Sequence, residues 1–368
     1  MDLFSDIARA AWRAAVPVRL RAWVSDAREM GADLLNYALM RSSLINALGP
    51  TQIRPHTLYI EGTNICNARC VFCAYPQMKR PKTTMPMETF RDVVEQYLAL
   101  GHAEVDLTPI VGDPFADRSL FERLDFLASH AAVKGFHFYT NAILMKPELA
   151  ERLTAYDGRF SIFCSFGGFD RATYRTIMGV DKFEEAVANI RGLIDAKERT
   201  ASTISIQVNL RAPKGSEHGE FWDYLVRRKS ERLITIDSVD DFDNWGGDIS
   251  EPTLKQAGLV PKLPPVHRGP CRRLLTGPTV LADGRVNACC CRDIEATLII
   301  GDVKAQPLSD ILAGAPLRGL IERHASGDYP KACRDCTRYA SIYPAWMHGW
   351  MPSAWRCQSS SISRAHSR

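Results

Sequence analysis

Three cysteines stand within eight residues, Cys66, Cys70 and Cys73, in the stretch Cys66-Asn67-Ala68-Arg69-Cys70-Val71-Phe72-Cys73. Three thiolates from one loop can hold three irons of a cubane iron–sulfur cluster. A four-iron cluster then keeps one iron without a protein ligand, and a small molecule can bind there. Zinc is the rival occupant. Zinc sites, however, usually pair two short hairpins, and no fourth ligand lies beside this triplet. A second group follows later in the chain: Cys271, then Cys289, Cys290 and Cys291, then Cys333 and Cys336. Cys164 stands alone in the apolar run 160–166 and reads as a small buried hydrophobe. In a reducing compartment, clustered thiols such as these mean metal more often than disulfide.

The triplet needs a scaffold that presents it at the end of a strand. The apolar run Leu58-Tyr59-Ile60 precedes it, followed by the turn-like Gly62-Thr63-Asn64. From 55 to about 245 strand-like segments (57–61, 103–108, 134–139, 159–165, 203–210 and 233–239) alternate with amphipathic ones (86–100, 117–131, 147–155, 181–197 and 217–230). Gly101 is placed to end the first of those helices. The alternation predicts an α/β fold, a parallel sheet with helices outside. It leaves open whether six such units make an open barrel or a doubly wound sheet. In either, working residues gather at the C-terminal ends of the strands, where the Cys66–Cys73 loop falls.

Residues 1–54 read as an N-terminal helical segment interrupted at Pro17. Its arginines interleave with Trp12 and Trp23. The expected role is packing across the main domain with a solvated basic face, ahead of contact with a membrane surface. Residues 246–270 are rich in Gly and Pro and read as a linker or irregular wrap. Residues 359–368 read as a disordered Ser- and Arg-rich tail, preceded by Tyr343, Trp346, Trp350 and Trp355 packing at the mouth of the main domain. A net charge of +4 with 24% charged residues gives no argument for nucleic acid. No run of about 18 apolar residues predicts a spanning helix. The acidic start Met1-Asp2-Leu3-Phe4-Ser5-Asp6 lacks a secretory signal pattern, so a cytoplasmic location is expected.

The triplet's spacing, with Phe72 just before the third cysteine, resembles the cluster motif of the radical S-adenosylmethionine (radical SAM) superfamily. Other segments match at the expected places. Thr108-Pro109-Ile110-Val111-Gly112-Asp113-Pro114 resembles the family's Gly-Gly-Glu stretch, with Val111 for the first glycine and Asp113 for the glutamate. Thr140-Asn141 resembles its Thr-Asn-Gly turn, with Ala142 in place of Gly. Ser165-Phe166-Gly167-Gly168-Phe169-Asp170 resembles its Ser-Leu-Asp-Gly segment, and 174–179 continues the likeness. The resemblance implies a partial (β/α)6 barrel over 55–245 that holds a [4Fe-4S] cluster on Cys66, Cys70 and Cys73. Gly112, Asp113, Pro114, Asn141 and Ser165 would then lie about the SAM. Gln207, Asn209 and Arg211 share one face of a strand by their period of two. Arg211 there would either pair with the SAM carboxylate or form a solvated strand end.

Cys271, twelve residues, Gly284, four residues and Cys289, followed later by Cys333-Arg334-Asp335-Cys336, resembles the SPASM/twitch extension. No cysteine occurs in 337–356, which favours the smaller twitch arrangement over 246–358, with one auxiliary [4Fe-4S] cluster on Cys271, Cys289, Cys333 and Cys336. Cys290 and Cys291 remain rivals for Cys289, and zinc remains the rival of the cluster. The resemblance implies a one-electron donor of the flavodoxin or ferredoxin type, cleavage of SAM to a 5′-deoxyadenosyl radical, and hydrogen abstraction from substrate. The auxiliary cluster makes a net two-electron oxidation natural, as in the twitch-bearing aminocyclitol dehydrogenases. A small polar or sugar-like substrate is favoured over a peptide, since no leader-binding domain of the usual size precedes the barrel. The base that would deprotonate a substrate radical stays open among Glu61, His137, Asp237, Asp240 and Asp241. A cluster protein that only carries electrons is the alternative of another class.

Overall fold

The computed structural model describes residues 57–342. The segment 1–54, the aromatic group 343–355 and the tail 359–368 lie outside the described residues. Six strands run parallel in sequence order: β1 (Thr57–Ile60), β2 (Glu104–Asp106), β3 (Gly135–Thr140), β4 (Phe160–Phe166), β5 (Ser205–Leu210) and β6 (Thr235–Ser238). The helices between them are α1 (Met87–Ala99), α2 (Leu120–Ser129), α3 (Pro147–Leu153), α4 (Arg171–Met178), α5 (Phe183–Thr200) and α6 (Gly219–Ser230). The sheet does not close, so the architecture is the partial barrel expected. It departs from the sequence reading in one element: α4 is a separate helix, started by Asp170 and stopped by Gly179. The linker is also not wholly irregular, since it holds the short helix α7 (Glu251–Gln256).

Each strand turns apolar side chains to one face and polar or aromatic ones to the other. Leu58, Ile60, Val105, Phe136, Phe138, Ile162, Phe166 and Val208 are buried on the outer face, under the helices. Helix α1 answers with Phe90, Val93, Val94 and Tyr97 at i, i+3, i+4 and i+7, an apolar stripe that fits one wall. It ends where predicted, with the Gly101 amide donating to the Leu98 carbonyl at 2.9 Å.

The opposite, inner face carries rows of side chains running across neighbouring strands. One row is Thr279–Tyr59–Asp106–His137–Ser161–Ser205, and the next is Tyr139–Phe163–Gln207–Thr235. A parallel strand buried between two apolar layers reads as a continuous hydrophobic run. These strands alternate instead, which marks the inner face as a wall built to meet something polar.

The sheet continues past β1. Strand β7 (Thr279–Val280) pairs parallel with β1, and β8 (Arg285–Asn287) and β9 (Ile299–Asp302) add antiparallel, giving nine strands in the order β6-β5-β4-β3-β2-β1-β7-β8-β9. Helices α8 (Arg273–Thr276), α9 (Leu308–Leu312), α10 (Ala315–Ser326) and α11 (Lys331–Arg334) complete this C-terminal part. Among the described residues no helix is long and apolar enough to cross a membrane.

Candidate active site

The loop after β1 is pinned from four sides. The amides of Arg69 and Val71 donate to the carbonyls of Met178 and Ile177 at 3.1 and 2.9 Å, so the C-terminal turn of α4 holds the middle of the loop. The Cys66 amide donates to the Tyr75 hydroxyl at 3.0 Å, and Trp245 Nε1 donates to the Phe72 carbonyl at 2.7 Å. From the β2 side, the Asp113 amide donates to the Ile65 carbonyl at 2.9 Å. Two glycines make these approaches possible. A Cβ on Gly179, whose φ is +69°, would lie 2.1 Å from the Arg69 carbonyl oxygen; one on Gly112, at φ +114°, would lie 2.2 Å from that of Thr63.

The SAM-type segments converge on this loop. The Asp113 carboxylate is buried and turned inward. It accepts from the Thr140 hydroxyl and the Asn141 amide at 2.9 Å each and from the Phe115 amide at 3.1 Å. Burial raises its pKa against those hydrogen bonds. The carboxylate therefore ties the β2 loop to the β3 turn. Gly112 carries the close approach to Thr63, and Pro114 opens the 3-10 turn 114–116. Asn141 Nδ2 donates to Asn67 Oδ1 at 2.8 Å and lies 3.8 Å from Cys66 Sγ. Ser165 stands half-buried on the inner side of β4, opposite Asn209. Arg211 leaves the end of β5 with its guanidinium 5.7 Å from the Phe72 ring. Its Nε is buried with no hydrogen-bond partner among the described residues, and burial lowers its pKa. Gln207 Nε2 donates to Asn209 Oδ1 at 2.6 Å, consistent with the shared face.

The thiols themselves are half-buried. Burial pushes Cys66 up to about 12 and Cys73 up to about 11, and raises Cys70 as well. Such thiols hold their protons until a cation displaces them. Among the described residues no three Cys, His, Asp or Glu side chains gather closely enough for one metal ion. A tetrahedral zinc site, with Zn–S near 2.3 Å, needs its sulfurs about 3.8 Å apart.

The second group lines one cavity between α8, the end of β8 and α11. Cys271, Cys289, Cys291, Cys333 and Cys336 all contribute to its wall, with Arg273, Arg292 and Arg338. Cys290 does not; it is buried against Gly277, where a Cβ would lie 2.8 Å from its sulfur. The cavity thus carries one thiol more than a four-iron cluster requires. Burial raises Cys271, Cys289 and Cys333 and brings Cys336 up to about 12. Cys291 goes the other way: the neighbouring Cys290 sulfur at 2.8 Å and the guanidinium groups of Arg273 and Arg292 lower its pKa.

Several residues that position the site carry no sequence signal of their own. Tyr75 and Trp245 are such cases. Asp243 also belongs here: it accepts from Arg292 Nη2 at 2.6 Å, and so ties the wall of the second cavity to the Trp245 turn. Helix α4 was within reach of sequence reasoning, since Asp170 is an N-cap type and Gly179 a helix stop.

Residues 60–207 match the family model of the radical SAM superfamily, and residues 271–337 match that of the SPASM iron–sulfur cluster-binding domain, together more than half of the chain. No curated protein matches the chain. Among solved structures, BtrN in complex with AdoMet and 2-DOIA shares 14% identity over 77% of this chain and 92% of its own, at a TM-score of 0.51. AdoMet-bound anSMEcpe shares 13% identity over 80% and 91%, at 0.48. Streptococcus suis SuiB bound to the precursor peptide SuiA shares 16% over 75% and 69%, at 0.43.

Proposed function

The chain belongs to the radical SAM superfamily and carries a C-terminal SPASM-type iron–sulfur domain, and from that premise we propose that it oxidises a small polar, sugar-like metabolite by two electrons. Cys66, Cys70 and Cys73 hold the [4Fe-4S] cluster that binds SAM. Cys271, Cys289, Cys333 and Cys336 hold the auxiliary cluster. Loaded with its cluster and SAM, and given an electron from a donor of the flavodoxin or ferredoxin type, the first site would supply 5′-deoxyadenosyl radical chemistry. The chain's own residues do the rest by placement. The carbonyls of the Val111–Asp113 segment receive the SAM ammonium group, Arg211 pairs with its carboxylate, and Asn141 and Ser165 border its ribose. The inner sheet face receives the substrate's hydroxyl groups through Tyr59, His137, Tyr139, Gln207 and Asn209.

The observation that carries this reading is the pairing of that polar face with the second thiol cavity. Tyr59 and Tyr139 both lie within electrostatic reach of Cys291, and Arg211 lies within reach of Cys70 on one side and of Arg292 and Arg338 on the other. An electron acceptor beside the substrate wall is what a net oxidation needs. The test is anaerobic turnover of the reconstituted protein with SAM and dithionite on glucosamine, myo-inositol and 2-DOIA, with short peptides as the contrasting set. One carbonyl product per 5′-deoxyadenosine from a polyol is expected. Turnover of peptides alone would replace the metabolite with a peptide, and no 5′-deoxyadenosine at all would leave a cluster protein that only carries electrons.

A further inference from the structure

A secondary alcohol that has lost a hydrogen atom still has to lose a proton, and the five acidic or basic residues near strand ends are not equal candidates to take it. Glu61 is fully buried and occupied: Arg80 donates to both its oxygens at 3.1 and 2.8 Å, and the Ala282 amide donates at 3.2 Å. Asp240 pairs with Lys214 at 2.7 Å and Asp241 with Lys262 at 3.2 Å. Asp237 lies exposed on the edge strand β6.

His137 differs from all of these. It stands in the middle of the inner face, buried, with Nε2 3.3 Å from Asp106 Oδ2. The other carboxylate oxygen, Oδ1, accepts from the Thr108 amide at 2.8 Å, and the Thr108 hydroxyl in turn accepts from the Tyr139 amide at 2.6 Å. The carboxylate is thereby fixed in place, with its Oδ2 3.3 Å from the imidazole. Contact through Nε2 leaves Nδ1 as the nitrogen free to accept a proton. Phe163 and Tyr139 wall the ring at centroid distances of 5.4 and 6.1 Å. The ionisable neighbours on this face are Asp106, Tyr59 and Tyr139, and the register sets Tyr59 beside Asp106.

We infer that the Asp106–His137 pair is the proton acceptor of the oxidation, with His137 touching the substrate hydroxyl and Asp106 positioning the ring. This rests on the proposed function above. The carbinol C–H bond breaks and its hydrogen atom joins the 5′-deoxyadenosyl carbon. The O–H bond breaks and its proton goes to His137 Nδ1. The remaining electron passes to the auxiliary iron–sulfur cluster as the C=O bond forms.

The experiment compares wild type, H137A, H137Q and D106N, each reconstituted with clusters, on whichever of glucosamine, myo-inositol or 2-DOIA the wild type oxidises. Iron content, and the uncoupled 5′-deoxyadenosine formed with SAM and dithionite in the absence of substrate, should stay within about twofold of wild type. Carbonyl formation should fall about a hundredfold in both His137 variants, the lower end of what a positioned base supplies, and by less in D106N. Added imidazole should restore part of the H137A rate and none of the H137Q rate, because only the alanine leaves room for it. Carbonyl formation within twofold of wild type in H137Q overturns the assignment. So does a loss in both His137 variants that follows iron content and 5′-deoxyadenosine downward, which is the mark of a structural pair. A wild type that oxidises none of the alcohols overturns the proposed function, and the assignment with it.

Discussion

At the scale of single residues, the chemistry rests on thiols whose burial makes them poor anions and good cluster ligands. Replacing Cys66, Cys70 and Cys73 by Ala should abolish SAM cleavage and lower iron from about eight to about four per chain, the difference of one four-iron cluster; iron and sulfide analysis with a 5′-deoxyadenosine assay reads both. In the second cavity the spacing from Gly284 favours Cys289, while the cavity wall also offers Cys291. C289S should therefore lose the auxiliary cluster and C291S keep it, as seen in the iron count and the electron paramagnetic resonance spectrum of the reduced protein. The sequence carried the ligand types and spacings but could not say that Cys290 turns away from the cavity. That outcome depends on how Gly277 packs, which no local pattern encodes.

At the scale of elements, α4 does more than connect β4 to α5. Its last two carbonyls hold the cluster loop, and its start depends on Asp170, which accepts from the Thr173 amide and hydroxyl at 2.9 and 2.7 Å. D170A should cost about 1 kcal/mol of stability, measured by urea unfolding, and should slow cluster loading. Those hydrogen bonds hold the Asp170 carboxyl below the usual carboxylate range. Its contribution is therefore present above about pH 4 and fades as the pH falls through the lower folded value. At the other end, G179A forces a Cβ onto the Arg69 carbonyl. A loss of about 2–4 kcal/mol is expected, with failure to load the first cluster at temperatures where the fold survives. The six strands and five of the flanking helices were legible from alternation because each buries one apolar face. Helix α4 lies outside the strand–helix alternation; its signals are its caps, Asp170 and Gly179, and the short apolar stripe Tyr174, Ile177 and Met178.

At the scale of the whole molecule, a buried ion pair joins the two cluster-bearing parts. Arg80 holds Glu61 with its guanidinium and donates from Nε to the Ile294 carbonyl at 2.7 Å, while Glu61 also receives the Ala282 amide. R80A would leave a buried carboxylate uncompensated, at about 3–5 kcal/mol; R80M with E61Q should recover much of it, and chemical denaturation of both variants tests the difference. Neither the Arg80–Ile294 nor the Glu61–Ala282 contact was legible in the sequence, since residues more than two hundred positions apart share no local pattern. The same is true of the seam between the two parts. Strand β7 pairs with β1 at Tyr59↔Thr279 and Ile60↔Val280, and the Glu61 amide donates to the Val280 carbonyl at 2.8 Å. The C-terminal part is thus a continuation of the barrel's sheet and no separate module on a tether. A chimera that exchanged this part for a relative's, cut at the Gly- and Pro-rich 246–270 stretch, would exchange one side of a hydrogen-bonded ladder. Its success would depend on whether the incoming strand matches the register of β1. Swapping auxiliary domains to move substrate preference between such enzymes therefore requires carrying β1 and the first thiol loop along with the graft.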